Sequence, residues 1–79
     1  MISKIKNYLN DEKYNIIIKE NFTYINNYKK IIDLSENEIC IEFQNFKLKI
    51  KGKDIKITKL LDKELKFDGI IESINYHYE

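Results

Sequence analysis

The stretch EICIEFQNFKLKIKGKDIKI, residues 38–57, decides the fold of this chain. It predicts a two-residue β-hairpin with Gln44-Asn45 at its tip. Successive strand residues point to opposite faces of a sheet. In this register, six large apolar side chains share one face in the pairs Phe43–Phe46, Ile41–Leu48 and Ile39–Ile50. The opposite face carries the pairs Glu42–Lys47, Cys40–Lys49 and Glu38–Lys51. A slip of one residue would expose the whole apolar set, so the pattern specifies the register well.

Composition places the chain among small globular proteins. It has 79 residues, which suit one domain near the lower size limit for a self-sufficient core. Sixteen isoleucines and fourteen lysines accompany a complete absence of Ala, Val, Arg, Pro and Trp, a bias typical of AT-rich genomes. The net charge of +1 argues against a general polyanion binder. No apolar run is long enough to span a membrane, so we expect a cytoplasmic protein without direct membrane insertion.

The chain before the hairpin predicts one helix and three short strands. Residues 1–12 form an N-terminal helix or arm, because Ile2, Ile5, Tyr8 and Leu9 recur at helical spacing. A frayed terminus is the alternative, since isolated helices this short are marginal in water. Residues 13–79 form a single β domain. Its first strands are expected at residues 14–18, 22–25 and 30–34, with turn chemistry at Asn26-Asn27.

Two glycines punctuate the second half of the chain. Gly52 lacks the apolar side chain expected at its position, which indicates a close approach of another strand or a bulge. A tight Gly52-Lys53 hairpin is a further alternative. Residues 62–64 break the following strand, and an uninterrupted strand from Leu65 onward is preferred over a turn at Asp68-Gly69. The change of parity between Ile71 and Ile74 predicts a bulge near Glu72-Ser73.

The spacing of these strands predicts an all-β fold, a small antiparallel β-sandwich or partly open barrel with the short N-terminal helix. A short internal repeat leaves a β-solenoid as the alternative architecture. Residues 48–52 (LKIKG) recur as residues 65–69 (LKFDG), and two copies are fewer than a solenoid requires.

Candidate catalytic chemistry is sparse, and the sequence predicts no catalytic, cofactor-binding or metal-binding residue and no cofactor. One cysteine excludes an internal disulfide, and Cys40 with His77 is the only nucleophile–base combination. Nothing in the sequence brings these two together or places an activating group, such as a helix N-terminus, beside the thiol. Two glycines are too few for a phosphate-binding loop. We therefore expect a protein that is not an enzyme.

The lysines between Lys47 and Lys59 form a local basic excess near several aromatic residues. A nucleic-acid-binding β module is one interpretation of that basic face. Alternation with isoleucine explains the same lysines as the solvated side of a strand, and lysine also protects exposed strand edges. We favour the solvated face, so nucleic acid is not the expected partner. The candidate interaction surface comprises Ile2, Ile5, Tyr8, Leu9, Lys47, Lys49 and Lys56.

From Asn15 to Tyr76 the order of residues resembles the YabP/YqfC family of sporulation proteins. The first element is residues 22–31 (FTYINNYKKI), which match the family's strand followed by Asn-x-Lys-Gly-Ile, with Lys30 at the usual glycine. The next is Leu48-x-Ile50-x-Gly52-x-x-Ile55-x-Ile57, preceded by Leu34 and Ile39. The last is Leu65-x-Phe67-x-Gly69-x-Ile71-Glu72-Ser73-Ile74. The leading helix and residues 11–18 are more similar to the YqfC branch than to YabP.

The resemblance implies a small β-sandwich made during endospore formation, with no enzymatic activity and no family catalytic residues. It implies a non-catalytic assembly or adaptor module that acts with a membrane-anchored sporulation partner. Recruitment to the membrane or envelope of the developing spore follows from that partner. The small core, the strand edges and the apolar stripe of the predicted helix lead us to expect self-association as well.

Overall fold

A computed structural model describes residues 14–78 of the chain. Its six strands are β1 (Asn15–Ile18), β2 (Thr23–Asn26), β3 (Lys30–Leu34), β4 (Glu38–Glu42), β5 (Phe46–Leu61) and β6 (Glu64–Tyr78). They form one sheet in the order β1-β2-β6-β5-β4-β3. Every neighbouring pair is antiparallel. The described residues contain no helix, so the all-β fold class is confirmed.

The central hairpin has the register that the sequence predicts. Ile41 lies opposite Leu48, and Ile39 lies opposite Ile50. The amide of Phe43 donates to the carbonyl of Phe46 at 2.8 Å, which closes the two-residue turn at Gln44-Asn45. The four isoleucine and leucine side chains are fully buried, so the alternation of the sequence corresponds to an inner and an outer face.

Strands β5 and β6 form a long hairpin ribbon that turns at Asp62-Lys63, where Leu61 lies opposite Glu64. The uninterrupted final strand is confirmed. Lys51 pairs with Ser73 and Gly52 with Ile71, which leaves Glu72 as the extra residue of the predicted bulge. The alternative of a tight Gly52-Lys53 hairpin is wrong, because β5 continues through this position without a turn.

Two glycines allow the strands to approach at the middle of the ribbon. A Cβ atom at Gly52 would lie only 2.1 Å from the carbonyl oxygen of Ile70. A Cβ atom at Gly69 would lie 2.8 Å from the carbonyl oxygen of Asp54, and Gly69 has a φ of +126°. Asp54 and Ile55 are also extra residues opposite Gly69 in the strand register. The backbones therefore touch where side chains would normally separate them.

The ribbon bends so far at these glycines that its two ends meet. Tyr14 lies at the end of the sheet near Glu64, through the pairs Asn15–Asn26 and Asn26–Glu64. Phe46 lies opposite Tyr78 at the other end. Fourteen residues separate Glu64 from Tyr78, which would span roughly 46 Å in a straight strand. The rings of Tyr14 and Phe46 are nevertheless 5.3 Å apart.

The bend divides the sheet into two wings that enclose one core. The first wing contains β1, β2, residues 56–61 of β5 and residues 64–68 of β6. The second wing contains β3, β4, residues 46–51 of β5 and residues 73–78 of β6. Both wings contribute to a single buried cluster, whose members are Ile25, Tyr28, Ile39, Ile41, Phe43, Phe46, Leu48, Ile50, Ile55, Leu65 and Phe67.

The architecture differs from the sequence-based expectation in one respect. A sandwich of two sheets is not supported, because the six strands are hydrogen-bonded in one continuous sheet, and a barrel is not supported either, because the described edge strands β1 and β3 do not pair with each other. The β-solenoid alternative does not fit either, since its strands stack in parallel and these pair antiparallel. The internal repeat has a different meaning: in both copies, the two apolar residues are fully buried and the glycine leads into the bend. The helix predicted within residues 1–12 lies outside the described residues.

The loop between β2 and β3 joins the two wings. The amide of Asn27 donates to Lys63 at the β5–β6 turn, and the amide of Lys29 donates to Glu42 at the end of β4. Between them, Tyr28 is only 5% exposed, and its hydroxyl donates a long hydrogen bond of 3.5 Å to the carbonyl of Leu61. Burial raises the pKa of Tyr28, and the carboxylates of Asp62 and Glu64 raise it further.

We predict that alanine at Gly52 or Gly69 destabilises the fold strongly. A methyl group at either site meets backbone atoms that belong to the paired strand, and at Gly69 it also imposes an unfavourable φ. Each substitution should lower the free energy of unfolding by about 2–3 kcal/mol or more. Lys53→Ala is the control, because Lys53 is exposed and its ion pair with Glu72 is a surface one. Urea denaturation followed by circular dichroism measures the difference, and equal midpoints for all three variants would contradict the bend.

The raised pKa of Tyr28 predicts a loss of stability at alkaline pH. Above the unfolded value of 10.0 the unfolded chain ionises this phenol while the folded chain retains its proton. The unfolded state then binds fewer protons, so stability falls as pH rises from 10 through the folded pKa. Tyr28→Phe should be nearly neutral at pH 7, since it removes only a long hydrogen bond. Between pH 9 and 11 it should lose less stability than wild type, whereas Tyr78→Phe, at an exposed ring, should follow wild type. Parallel loss in all three proteins would refute this role of Tyr28.

Candidate interaction surfaces

The structure separates the three described lysines of the predicted interaction surface. Ile2, Ile5, Tyr8 and Leu9 lie outside the described residues. Lys47 and Lys49 lie on the outer face of the second wing and are half-buried. Lys56 is exposed on the first wing, beyond the bend, and lies opposite Asp68. The described lysines of this set therefore do not form one continuous surface.

Carboxylates neutralise much of the basic excess in β5. Three of its lysines make ion pairs, and these are Lys49–Glu38 at 3.7 Å, Lys53–Glu72 at 3.5 Å and Lys59–Glu64 at 3.3 Å. The Lys49–Glu38 pair runs diagonally across the predicted register, in which Glu38 lies opposite Lys51. Each such surface pair contributes at most about 1 kcal/mol. Their main effect is on the local charge, because the three glutamates offset part of the positive charge of β5.

The aromatic residues near these lysines do not form a platform for bases. Tyr28 and Phe46 are each 5% exposed, so their faces are not accessible for stacking. Phe22 lies beneath Lys66, whose Nζ is 4.5 Å from the ring centroid. Phe46 also lies on the inner face of β5, whereas Lys47 and Lys49 point outward. This arrangement gives no support to the nucleic-acid interpretation.

The structure does not bring Cys40 and His77 within bonding distance. Both point to the outer face of the second wing, but β5 lies between them, with Cys40 opposite Lys49 and His77 opposite Lys47. Two strand spacings amount to about 10 Å. Within residues 14–78, no cluster of three His, Cys, Asp or Glu side chains is arranged to hold a metal ion.

Two surface pockets accompany the bend and the loop that joins the wings. The larger has a volume of about 480 Å³ and is lined by Glu36, Asp54, Ile55, Lys56 and Asp68. The smaller, of about 290 Å³, is lined by Asn27, Tyr28, Lys29, Gln44 and Lys63. Both linings are dominated by polar and charged side chains from turns and strand ends. Sites for small organic ligands are instead mostly apolar, so neither pocket resembles one.

The most distinctive surface is an aromatic cluster where the two wings meet. Phe43 and Phe46 stack with their ring centroids 4.7 Å apart, and Tyr14 contacts both. Tyr76 and Tyr78 of β6 also contact Phe46, at 5.5 and 5.6 Å. The two phenylalanines are buried, but Tyr14, Tyr76 and Tyr78 are 43%, 48% and 75% exposed. The sequence analysis missed this surface, although the inward parity of Tyr76 and Tyr78 with Ile74 could have revealed it.

Further exposed apolar side chains lie on the parts of β5 and β6 that follow Gly52 and Gly69. Leu60 and Leu61 end β5 at 52% and 55% exposure, and Ile70 lies beside the bend at 60%. Exposed apolar residues of this size are typical of protein contact surfaces when they adjoin one another. In this chain they occur on strand segments that have a neighbouring strand on one side only.

Comparisons with known proteins identify the family of the chain. No helix in the described part of the chain is both long and apolar enough to cross a membrane. No curated protein and no solved structure matches the sequence. Residues 10–79 match the YabP family, and that span includes all six strands and both glycines of the bend. This chain belongs to the YabP family.

Proposed function

We propose that this protein is a non-catalytic assembly or adaptor module of endospore formation. Membership of the YabP family supports a sporulation-related role. The adaptor role rests on the kind of surface that the fold exposes. Its exposed apolar side chains lie on open strand segments and in the aromatic cluster. Its pockets are lined mainly by polar and charged residues.

The aromatic cluster is the observation that carries this proposal. Tyr76 and Tyr78 present large faces to solvent, while Phe43 and Phe46 hold them against the core. Tyrosines supported in this way are characteristic of protein interfaces, because they bury much area and lose little conformational entropy. An enzyme would instead require polar groups that converge in a pocket around a reacting atom.

The partner that we propose is a membrane-anchored sporulation protein. This follows from the resemblance of the leading segment to the YqfC branch. The protein would act from the cytoplasm and be recruited to the membrane or envelope of the developing spore. The exposed apolar residues of the first wing, Leu60 and Leu61, provide a surface for such a partner that is separate from the aromatic cluster.

A complementation experiment in the endospore-forming host tests the role. Deletion of the gene should reduce the yield of heat-resistant spores, and the wild-type gene should restore it. Cys40→Ser should restore it equally, because the thiol has no catalytic task. Leu60→Asp/Leu61→Asp, at two residues outside the buried core cluster, should restore it poorly even when circular dichroism shows that the variant is folded. Lys59→Asp serves as the matched control at a neighbouring exposed position.

Three outcomes would contradict parts of the proposal. Normal yields of heat-resistant spores in the deletion strain would refute the cellular role. A stable, folded Cys40→Ser protein that fails to complement would refute the non-catalytic assignment. A fluorescent fusion that stays diffuse throughout sporulation would count against recruitment to the developing spore.

A further inference from the structure

The second half of β6 is an open edge of the sheet. Strand β2 pairs only with residues 64–67 of β6, and β5 occupies the other side of the strand along its length. Within the described part of the chain, residues 73–78 therefore have a strand neighbour on one side alone. This segment, SINYHY, is the outer edge of the second wing.

The other open edges carry features that discourage strand pairing. Strand β3 contains Lys30 and Asp33 and is interrupted by an irregular register at Ile32. Residues 56–61 of β5 include Lys56 and Lys59 and have an extra residue at Thr58. Strand β1 has only four residues. Charged side chains, bulges and short length are the devices by which proteins protect such edges.

Residues 73–78 have none of these devices. The segment contains no Asp, Glu, Lys, Gly or Pro. Its register against β5 is regular from Ser73 to Tyr78, since the bulge at Glu72 precedes it. An edge of this length without protection is a template for another strand.

The hydrogen-bond pattern identifies which backbone groups this edge offers. Phe43 and Phe46 form a hydrogen-bonded pair, so Phe46, Leu48 and Ile50 direct their backbone groups toward β4. The alternate residues of β5 then bond to β6, where their partners are Ser73, Asn75 and His77. The N–H and C=O groups of the intervening residues point outward, away from β5. These residues are Ile74, Tyr76 and Tyr78.

We propose that this edge pairs antiparallel with the same edge of a second copy of the chain, with Tyr76 on the two-fold axis. A two-fold axis perpendicular to the sheet places one residue opposite itself. With Tyr76 there, all three outward-facing residues find partners, which gives about six hydrogen bonds. A centre at Asn75 would give about four, because the bulge at Glu72 interrupts the pairing with Tyr78.

The side chains of this arrangement are complementary. On the inner face, Tyr76 lies opposite Tyr76 of the second copy, and Ile74 lies opposite Tyr78. Aromatic and β-branched residues form favourable cross-strand pairs. On the outer face, Asn75 lies opposite His77, and no like charges meet. The dimer joins two second wings into a continuous eight-stranded sheet and places Tyr76 and Tyr78 of both copies at the contact.

Pairing of this edge with the same edge of a second copy is favoured over pairing with a different edge of that copy. Pairing of β6 with β3 of a neighbour would leave further edges open and produce filaments, and the charges and irregular register of β3 oppose it. Pairing through one self-complementary edge closes after two copies. The contact is smaller than a standard interface, so we expect a dissociation constant in the micromolar range. The inference goes beyond the proposed cellular role and does not depend on it.

Site-specific disulfides test both the edge and its register. In a Cys40→Ser background, Asn75→Cys/His77→Cys places two cysteines opposite each other across the axis, with Cα atoms about 4.5 Å apart. That distance lies within the range of disulfides. Mild oxidation should convert the double variant to a covalent dimer on a non-reducing gel. An equimolar mixture of the two single variants should also cross-link.

Each single variant alone provides the control for the register. Identical residues at position 75 or 77 lie about 8 Å apart across the axis, which is beyond disulfide reach. These proteins should form no covalent dimer under the same oxidation. A double variant that fails to cross-link, or a single variant that cross-links as efficiently, would overturn the proposal.

Charge repulsion provides an independent test. In Asn75→Glu/His77→Glu the new carboxylates face Lys49 and Lys47 within the same chain, so the fold should keep its stability. Across the axis each carboxylate faces another, and the dissociation constant should rise at least about tenfold. Asn21→Glu/Gln44→Glu makes the same charge change at exposed turns and should dimerise like wild type. Sedimentation equilibrium at pH 8 measures all three, and wild type that is monomeric at several hundred micromolar would refute the dimer.

Discussion

The contact between backbones at the middle of the β5–β6 ribbon is the constraint on which the rest of the structure depends. Gly52 lies against Ile70, and Gly69 lies against Asp54, at distances that leave no room for a Cβ atom. Because the strands can approach there, the ribbon folds back on itself and brings its two ends together. Without that bend, the apolar faces of the two wings would each remain open to water.

The bend also determines where the open strand edges and the exposed apolar side chains lie. Each long strand begins with an inward, buried half and continues beyond its glycine as a more exposed half. The buried halves supply the core, and the exposed halves supply open edges and apolar side chains. A chain of this size has few elements with which to cover its own edges. It therefore leaves strand edges and apolar side chains exposed as a consequence of its topology.

Local patterns in the sequence predicted much of the fold. The hairpin register followed from strict alternation around a two-residue turn, and the bulge at Glu72 followed from a change of parity. Membership of the YabP family was confirmed as well. The single sheet was not predicted, because the bend depends on contacts between residues far apart in sequence. A turn that uses Lys63 at a φ of 64° also carries no glycine to mark it.

A candidate interaction surface is harder to predict from the sequence than the fold. Lysine counting drew attention to β5, where glutamates from β4 and β6 balance several of the charges. For the edge that we propose as the dimer contact, the signal in the sequence is instead a lack of charge in the last strand. Tyr76 and Tyr78 join the aromatic cluster through contacts with Phe46, which lies about thirty residues earlier in the sequence. Alternation alone cannot show those contacts.

Proton NMR tests the folded-back ribbon most directly. The account predicts nuclear Overhauser effects between the ring protons of Tyr14 and those of Phe43 and Phe46, whose centroids lie 4.9 and 5.3 Å away. Effects between the strands of the ribbon should also be observed, such as those that join Leu48 with Tyr76. If the ribbon contacts appear and the contacts of Tyr14 are absent, the two wings do not share one core, and the account is wrong.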